Sequence, residues 1–313
     1  MIRTSVSIAA AALALAGPAA AHGAGTHTAQ SASPTPVETS DLGSGIYMLT
    51  GRGGNVGVLS GEDGTFVIDS QYADMAPGLL GAIKEISGAA EVRFLLNTHW
   101  HGDHTGANAQ MAASGATVVA HDGVRDRLTS ENTRAMGGET QTIPPAEEAA
   151  WPVISYSDEM TVYLNGQTVE IIHLPAAHTD GDSAVYFREA NVLHTGDVMF
   201  NGRFPFVDVW SGGTFDGYIE GLGTLYELAD DETRIIPGHG PEATRADIKA
   251  LRDMMVGAVA AIEGEMAGKT LEEVQAAKPL APWSEDWGWS FIDADTFTAL
   301  IYQDLSGGDE TEG

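Results

Sequence analysis

Three histidines and one aspartate fall within six positions directly after an apolar run: His99, His101, Asp103 and His104. Neutral imidazole nitrogens and carboxylate oxygens are the ligands that bind Zn²⁺ at about 2.0–2.2 Å. On an extended segment His99 and His101 would point the same way, because side chains on a strand repeat with period two. These two histidines can therefore bind one ion together, whereas Asp103 and His104, beyond a glycine, can reach a second ion.

Four further positions repeat this local pattern, in which an apolar strand is followed by a residue that can bind a metal: Asp69, His178, Asp197 and His239. One such residue alone is a weak signal, and a group of surface histidines is the alternative explanation. A His-x-His-x-Asp-His grouping rarely arises by chance, and here its partners follow in order. The pattern therefore favours a metal centre with two sites.

Taken together, these five motifs resemble those of the metallo-β-lactamase superfamily, and the resemblance covers roughly residues 45–240. It implies an α/β (α+β) fold, an αββα four-layer sandwich. It also implies two zinc ions per chain, bound at the open edge of the two packed sheets.

The resemblance implies a role for each motif residue. Three histidines would bind the first zinc: His99, His101 and His178. The second zinc would be bound by Asp103, His104 and His239. Asp197 would either bridge the two ions or bind one of them, and Asp69 would orient a ligand.

A hydrolytic mechanism follows from two zinc ions that share one water molecule. Zinc lowers the pKa of a bound water to about 7, so a zinc-bound hydroxide can attack a carbonyl at neutral pH. Asp103 would be the catalytic residue that holds and orients this hydroxide. The chain contains no cysteine and no Gly-x-Ser-x-Gly segment, so the sequence offers neither a cysteine nucleophile nor that serine motif.

Opening of β-lactam rings is the first candidate reaction, because the chain begins like an exported protein. Asp197 argues against it, since the established metallo-β-lactamase subclasses carry Cys or Ser there. Phe200 also stands where a lysine often binds the substrate carboxylate, so Arg203 would have to replace it. The rival is a glyoxalase-II-like thioesterase or another ester or lactone hydrolase, for which Asp197 is the usual choice. A zinc carrier is the non-catalytic alternative.

The composition agrees with an enzyme that acts on small molecules. Fifteen basic residues against 44 acidic ones give a formal net charge of −29, which repels nucleic acid and anionic membranes. A nuclease is therefore disfavoured, and a monomer is the simplest expectation. With no cysteine, the protein has neither disulfides nor thiolate ligands.

The N-terminus has the pattern of a secretory signal peptide at residues 1–21, with cleavage after Ala21. Its apolar run is too short for a stable membrane anchor, so we expect a periplasmic protein; an N-terminal helix of the fold is the alternative. Composition then predicts a flexible linker at 22–40, one catalytic domain at 41–306 and a frayed acidic tail at 307–313.

Apolar periodicity and glycine turns predict the elements that position these residues. The predicted strands are 45–50, 55–60, 65–69, 92–96, 117–120, 160–164, 168–174, 184–187, 191–194 and 234–236. The predicted helices are 75–86, 107–113, 121–130, 215–228 and 245–267.

Three segments leave alternatives open. Residues 131–151 form either a wall of the substrate groove or a surface excursion. Asn201 and Arg203 are tentative substrate contacts, although Arg203 could instead pair with Asp208. Trp283, Trp287 and Trp289 could line the site, but a C-terminal lid packed on the core is the preferred interpretation. Two more histidines lie within predicted strands and are expected in the core or beside a ligand: His173 and His194.

Overall fold

Two β-sheets pack face to face, and helices cover the outer face of each. The computed structural model describes residues 36–88, 91–136 and 139–307. The predicted signal peptide and most of the acidic tail lie outside the described residues. None of the helices in the described ranges is long and apolar enough to cross a membrane.

The strands, in chain order, are β1 (Glu38–Gly43), β2 (Ile46–Thr50), β3 (Val56–Gly61), β4 (Gly64–Ile68), β5 (Val92–Asn97), β6 (Thr117–His121), β7 (Asn132–Met136), β8 (Glu139–Ile143), β9 (Ile154–Tyr156), β10 (Glu159–Leu164), β11 (Gln167–His173), β12 (Ser183–Phe187), β13 (Val192–His194) and β14 (Arg234–Ile236). The helices are α1 (Ala76–Ser87), α2 (Gly102–Thr105), α3 (Asn108–Ala113), α4 (Asp122–Thr129), α5 (Phe215–Leu228), α6 (Arg245–Met266), α7 (Leu271–Ala277), α8 (Ser284–Trp287) and α9 (Ala294–Leu305).

The first sheet has seven strands in the order β1-β2-β3-β4-β5-β6-β9, and the second has five in the order β10-β11-β12-β13-β14. Within the first sheet, β4, β5, β6 and β9 run parallel. In the second sheet only β13 and β14 run parallel. The carboxyl ends of parallel strands meet at one edge, so the residues that follow β4 and β5 are neighbours, as are those that follow β13 and β14.

An apolar layer to which both sheets contribute fills the space between them. Ile46, Phe66 and Ile68 come from the first sheet, whereas Ile171 and Phe187 come from the second; all five are fully buried. Burial of such side chains contributes about 1.5–3 kcal/mol each relative to exposure.

The outer face of each sheet packs against its own helices. Leu79 and Ile83 of α1 pack on the first sheet. Phe215 of α5, Ile248 of α6 and Phe297 of α9 belong to the core cluster that covers the second. The layers are therefore helix, sheet, sheet and helix, and the predicted αββα sandwich is confirmed.

One prediction about local structure needs correction, and one segment contains strands that the sequence did not indicate. The range 22–40 was predicted as linker, but β1 begins at Glu38 and pairs with β2 in antiparallel register. This strand is hard to recognise because five of its six residues are exposed at the sheet edge, so it lacks an apolar pattern. The long connection at 131–151 contains the antiparallel hairpin β7–β8, which its polar sequence also concealed.

Phe297 links α9 to the loop that follows Asp197. Its ring lies 4.5 Å from that of Phe204 in a stacked arrangement and 5.5 Å from that of Phe215. All three side chains are fully buried. Helix α9 therefore stabilises this loop through aromatic packing.

We expect Phe297→Ala to lower the free energy of unfolding by about 3–5 kcal/mol, because the substitution leaves a cavity among buried rings. Denaturant titration measures this loss. Tyr163→Ala is the control and should change stability by less than about 0.5 kcal/mol, since Tyr163 is 78% exposed. Equal stability of the two variants would contradict the role given to Phe297.

Candidate metal centre

Two clusters of possible ligands lie at one edge of the sandwich. The first contains His99, His101, His178 and Asp197, and the second contains Asp103, His104 and His239. Within each cluster the ligand atoms lie within 4.8 Å of one another. The structure thus brings together all seven residues that the sequence indicated as ligands.

The segment after β5 delivers its ligands in two directions. His101 has extended backbone angles (φ −63°, ψ 148°) and precedes the single turn α2. The backbone nitrogen of His104 donates to the His101 carbonyl at 3.0 Å, which closes that turn. His99 and His101 therefore leave the strand together, and the turn places Asp103 and His104 in the other cluster, as predicted.

Asp197 lies where the two clusters meet. Its Oδ2 is 3.5 Å from Nε2 of His178 and 3.3 Å from Nε2 of His239. Its Oδ1 is 3.0 Å from Nε2 of His104. One carboxylate is therefore close to ligands of both clusters, a position that suits a bridging ligand.

Hydrogen bonds to the outer nitrogens fix the histidine rings. His104 Nδ1 donates to Asp69 Oδ2 at 2.7 Å, as predicted for a residue that orients a ligand. His101 Nε2 donates to Asp208 Oδ2 at 2.7 Å, and His178 Nδ1 donates to the carbonyl of Phe206 at 2.6 Å. In their neutral form, the rings of His101 and His178 then present their other nitrogen, with a free lone pair, to the centre. His104 is the exception, because burial would lower its pKa but Asp197, Asp69 and Asp103 raise it well above its usual value.

His99 gives the clearest test of whether these residues fit a metal. The hydroxyl of Thr98 donates to Asp69 Oδ2 at 2.8 Å, so its oxygen accepts from His99 Nδ1 at 3.1 Å. Nε2 of His99 is then an acceptor, and it is buried without a hydrogen-bond partner. An unpaired buried acceptor costs free energy unless a cation binds it, so the residues present fit a metal ion.

A second observation agrees with this test. Nδ1 of His101 and Nε2 of His178 are only 2.9 Å apart. Both rings donate through their other nitrogen, so neither facing nitrogen carries a proton in the neutral form. Two lone pairs at this distance repel each other, and a cation between them removes the repulsion.

Burial and charge give three groups of the first cluster, His99, His178 and Asp197, the protonation states that zinc requires. Burial lowers the pKa of His178 to about 4 and that of His99 well below its usual value. Burial would raise the pKa of Asp197, but the neighbouring His104 and His239 hold it well below its usual range. The first cluster therefore contains two neutral imidazoles, those of His99 and His178, and one ionised carboxylate.

Two glycines allow the backbone to approach the centre closely. A Cβ atom on Gly238 would lie 2.0 Å from Oδ1 of Asp197, and one on Gly54 would lie 2.1 Å from Cε1 of His104. Any other residue at these positions would displace a ligand.

A groove of about 970 Å³ opens onto the centre. The β7–β8 hairpin contributes Arg134 and Ile143 to its lining, so the interpretation of 131–151 as a groove wall is confirmed. Trp283, Trp287 and Trp289 all pack, partly buried, against the core, as the preferred interpretation expected. Trp289 in addition lines the groove.

The two tentative substrate contacts differ in outcome. Arg203 lines the groove, with its guanidinium carbon 4.9 Å from the centre of the Trp289 ring. It does not pair with Asp208, which binds His101 instead. The Asn201 amide donates to the carbonyls of Pro241 and Glu242 at 3.2 and 3.4 Å, and Asn201 is not among the residues lining the groove. Its predicted substrate contact is therefore not supported.

The remaining strand histidines lie outside both clusters, as expected. His194 is fully buried and close to the carbonyl of Asn55 at 3.3 Å, and burial lowers its pKa to about 4. His173 stacks on His121 with ring centres 3.8 Å apart.

Comparison with known proteins agrees with the fold and the ligand set. The model of the metallo-beta-lactamase superfamily matches residues 49–239. The chain belongs to this superfamily. It is accordingly a hydrolase of the metallo-β-lactamase fold, as the resemblance implied.

Relatives within the superfamily differ in their reactions. The hydroxyacylglutathione hydrolase GloC of Haemophilus influenzae is 29% identical over 170 residues, which are 54% of this chain and 77% of that protein. The hydroxyacylglutathione hydrolase of Hyphomonas neptunium is 30% identical over 33% of this chain and 32% of its own length. The 2,4-dinitroanisole O-demethylase subunit alpha of Nocardioides sp. is 24% identical, over 61% of this chain and 54% of that protein. The chain thus spans about half of the O-demethylase subunit and less of the Hyphomonas enzyme.

Solved structures share the fold at low identity. A metallo-β-lactamase from Pontibacter korlensis has a TM-score of 0.57 at 17% identity and covers 69% of this chain and 99% of its own. The sec-alkylsulfatase Pisa1 from Pseudomonas sp. has a TM-score of 0.62 at 18% identity, over 85% of this chain and 50% of its own.

We expect two zinc ions per chain. His178→Ala should leave only the second cluster able to bind, and His239→Ala only the first, because each change removes one ligand. Metal analysis of the purified protein measures the stoichiometry. His173→Ala is the matched control and should keep two equivalents; two full equivalents in both ligand variants would contradict the assignment.

Asp208→Asn should weaken zinc binding by about 10–100-fold, because His101 loses the carboxylate that fixes its ring. Competition with a chromogenic chelator measures the affinity. Asp253→Asn, an exposed position on α6, is the control and should leave it unchanged. Wild-type affinity in the Asp208 variant would rule out the orienting role.

Proposed function

We propose that the chain is a dinuclear zinc hydrolase that cleaves a thioester, ester or lactone bond, with hydroxyacyl thioesters as the first candidates. The observation that carries this proposal is the place of Asp197, whose two oxygens lie 3.0–3.5 Å from ligand nitrogens of both clusters. A carboxylate at this position is the usual choice of the thioesterases, whereas the established β-lactamases carry Cys or Ser. The hydroxyacylglutathione hydrolases among its relatives support the same class.

The bound zinc ions would supply Lewis acidity and a water molecule whose pKa is lowered to about 7. The protein's own residues place the reactants. Asp103 Oδ2 lies 3.3 Å from His239 Nε2, and Asp103 is one-fifth exposed to the groove. Burial would raise the pKa of Asp103, but His104 and the hydrogen bond from His239 lower it to about 2.

Asp103 is therefore ionised and can accept a hydrogen bond from the attacking water. This orients the water's lone pair toward a carbonyl in the groove. The catalytic role predicted for Asp103 is retained in the proposal.

Opening of β-lactam rings is the second candidate, and one observation favours it. Arg203 lines the groove without an ion-pair partner in the described part of the chain, so it can bind a substrate carboxylate. The proposed export to the periplasm would also place the enzyme where such antibiotics act. The solved β-lactamases share only the fold, so this reaction stays behind thioester hydrolysis.

Hydrolysis by the zinc-loaded protein of a chromogenic cephalosporin, a hydroxyacyl thioester series and a lactone series separates the candidates. We expect cleavage of thioesters or lactones. Rapid turnover of the cephalosporin alone would reverse the order, and no cleavage of any of them would refute the proposal.

Substitution of Asp197 provides an independent test. In a thioesterase Asp197→Cys should lose activity on every substrate, because a single sulfur cannot replace two carboxylate oxygens that reach both clusters. In a β-lactamase the same variant should retain zinc and much of its lactam hydrolysis. Asp197→Ala should have low hydrolytic activity in either case, and it is the reference for complete loss of this ligand.

A further inference from the structure

Four aromatic rings form an arc along the groove from one ligand cluster to the other. Phe206 lies 6.0 Å from the ring of His101, and Phe291 follows at 5.9 Å from Phe206. Trp289 is 5.5 Å from Phe291 and 6.4 Å from Phe200. Phe200 then stacks on His239 at 4.8 Å. We call these four residues the aromatic arc.

Two members of the arc come from the C-terminal segment, beyond the part of the chain that the family model matches. Phe291 is 49% exposed, and Trp289 is partly exposed although it packs against a large apolar core. A half-exposed phenylalanine within a groove is the kind of apolar surface that marks a binding site.

Hydrogen bonds hold this segment in place without using the face of Phe291. The backbone nitrogen of Phe204 donates to the Trp287 carbonyl at 2.7 Å. Nε1 of Trp289 donates to the Phe204 carbonyl at 3.0 Å. The loop that follows Asp197 is thus fixed to the C-terminal segment, so the arc is preformed.

Cations lie along the arc, in a protein whose net charge is −29. The guanidinium carbon of Arg203 is 4.9 Å from the Trp289 ring, and that of Arg134 is 5.9 Å from the Phe206 ring. Glu242, an acidic residue of the lining, is neutralised by Arg234. This wall of the groove is therefore apolar with positive charge above it, which suits an anion that carries an apolar ring.

We propose that the aromatic arc is a specificity subsite for an aryl group on the acyl portion of the substrate, with the ring packed against Trp289 and Phe291. The inference rests on the proposed function for the position of the scissile carbonyl, which would lie over the two clusters. The substrate class is then a thioester, ester or lactone of an aryl-substituted carboxylic acid. Hydrolysis gives the aryl-substituted carboxylate and the free thiol or alcohol, which for a lactone remains on the same molecule.

Binding of the product class tests the subsite without any turnover. We expect calorimetric titration of the full chain to give a Kd for 3-phenylpropionate about tenfold lower than that for propionate. Both probes carry one carboxylate, so the ratio of the two constants reports on the ring. Phe291→Ala should reduce this ratio by about 3–10-fold, the range expected for the loss of one aromatic contact.

Phe291→Leu should reduce the ratio less, because it keeps an apolar side chain and removes only the ring. Tyr163→Ala removes an exposed aromatic residue on β10, away from the groove, and should leave the ratio at the wild-type value. A wild-type ratio near one, or a ratio that Phe291→Ala does not change, would overturn the subsite.

Turnover separates this inference from the proposed function. With one common thiol, the KM of a phenylacetyl thioester should be lower than that of the acetyl thioester, and Phe291→Ala should narrow the difference. If thioesters are cleaved without an aryl preference in binding or KM, the subsite is wrong and the hydrolase proposal stands. If 3-phenylpropionate binds with the expected ratio and no substrate is cleaved, the hydrolase proposal fails and the subsite stands.

Discussion

The position and the surroundings of the Asp197 carboxylate depend on three separate segments that meet at one edge of the sandwich. It follows β13, and Gly238, which follows the parallel neighbour β14, leaves the space that Oδ1 occupies. His99 and His104 arrive from the other sheet, after β5, and face the same carboxylate. The two sheets must therefore be packed in their correct relative position before either cluster is complete. The apolar layer between the sheets thereby sets the distances between ligand atoms at the metal centre.

The same dependence explains which parts of the centre could be predicted from sequence. The ligands lie at the end of apolar runs or a few residues beyond them, so local pattern is sufficient to find His99, His178 or His239. Asp69 could be found in the same way. The orienting partner of His101 could not, because Asp208 lies 107 residues away and no local motif marks it. The sequence indicated Asp208 only as a partner for Arg203, because charge alone does not distinguish a pairing with Arg203 from one with His101.

The strands β1, β7 and β8 were missed because they lack an alternating apolar pattern. Strand β1 is mostly exposed, and β7–β8 stands apart as a two-stranded sheet of mostly polar residues. Helix α9 was missed although Phe297, Leu300 and Ile301 form a buried apolar face. The tentative contact at Asn201 failed for a different reason. Because Asn201 lies close to Asp197 in sequence, a place in the groove was expected. Its side-chain amide instead donates hydrogen bonds to two carbonyls of the neighbouring turn. Neither these three strands nor the contacts of Asn201 can be derived from periodicity, because both depend on tertiary contacts.

Part of the groove wall comes from segments that contribute no ligand. All seven ligand-type residues lie within the region matched by the superfamily model, on turns between buried strands. Arg134 lies on the hairpin, and Trp289 and Phe291 lie on the C-terminal segment; none of these contributes to either cluster. Substitutions in the hairpin and the C-terminal segment can therefore accumulate without loss of any ligand-type residue. Such a division lets one ancestral metal centre acquire new substrates through changes that leave its chemistry intact.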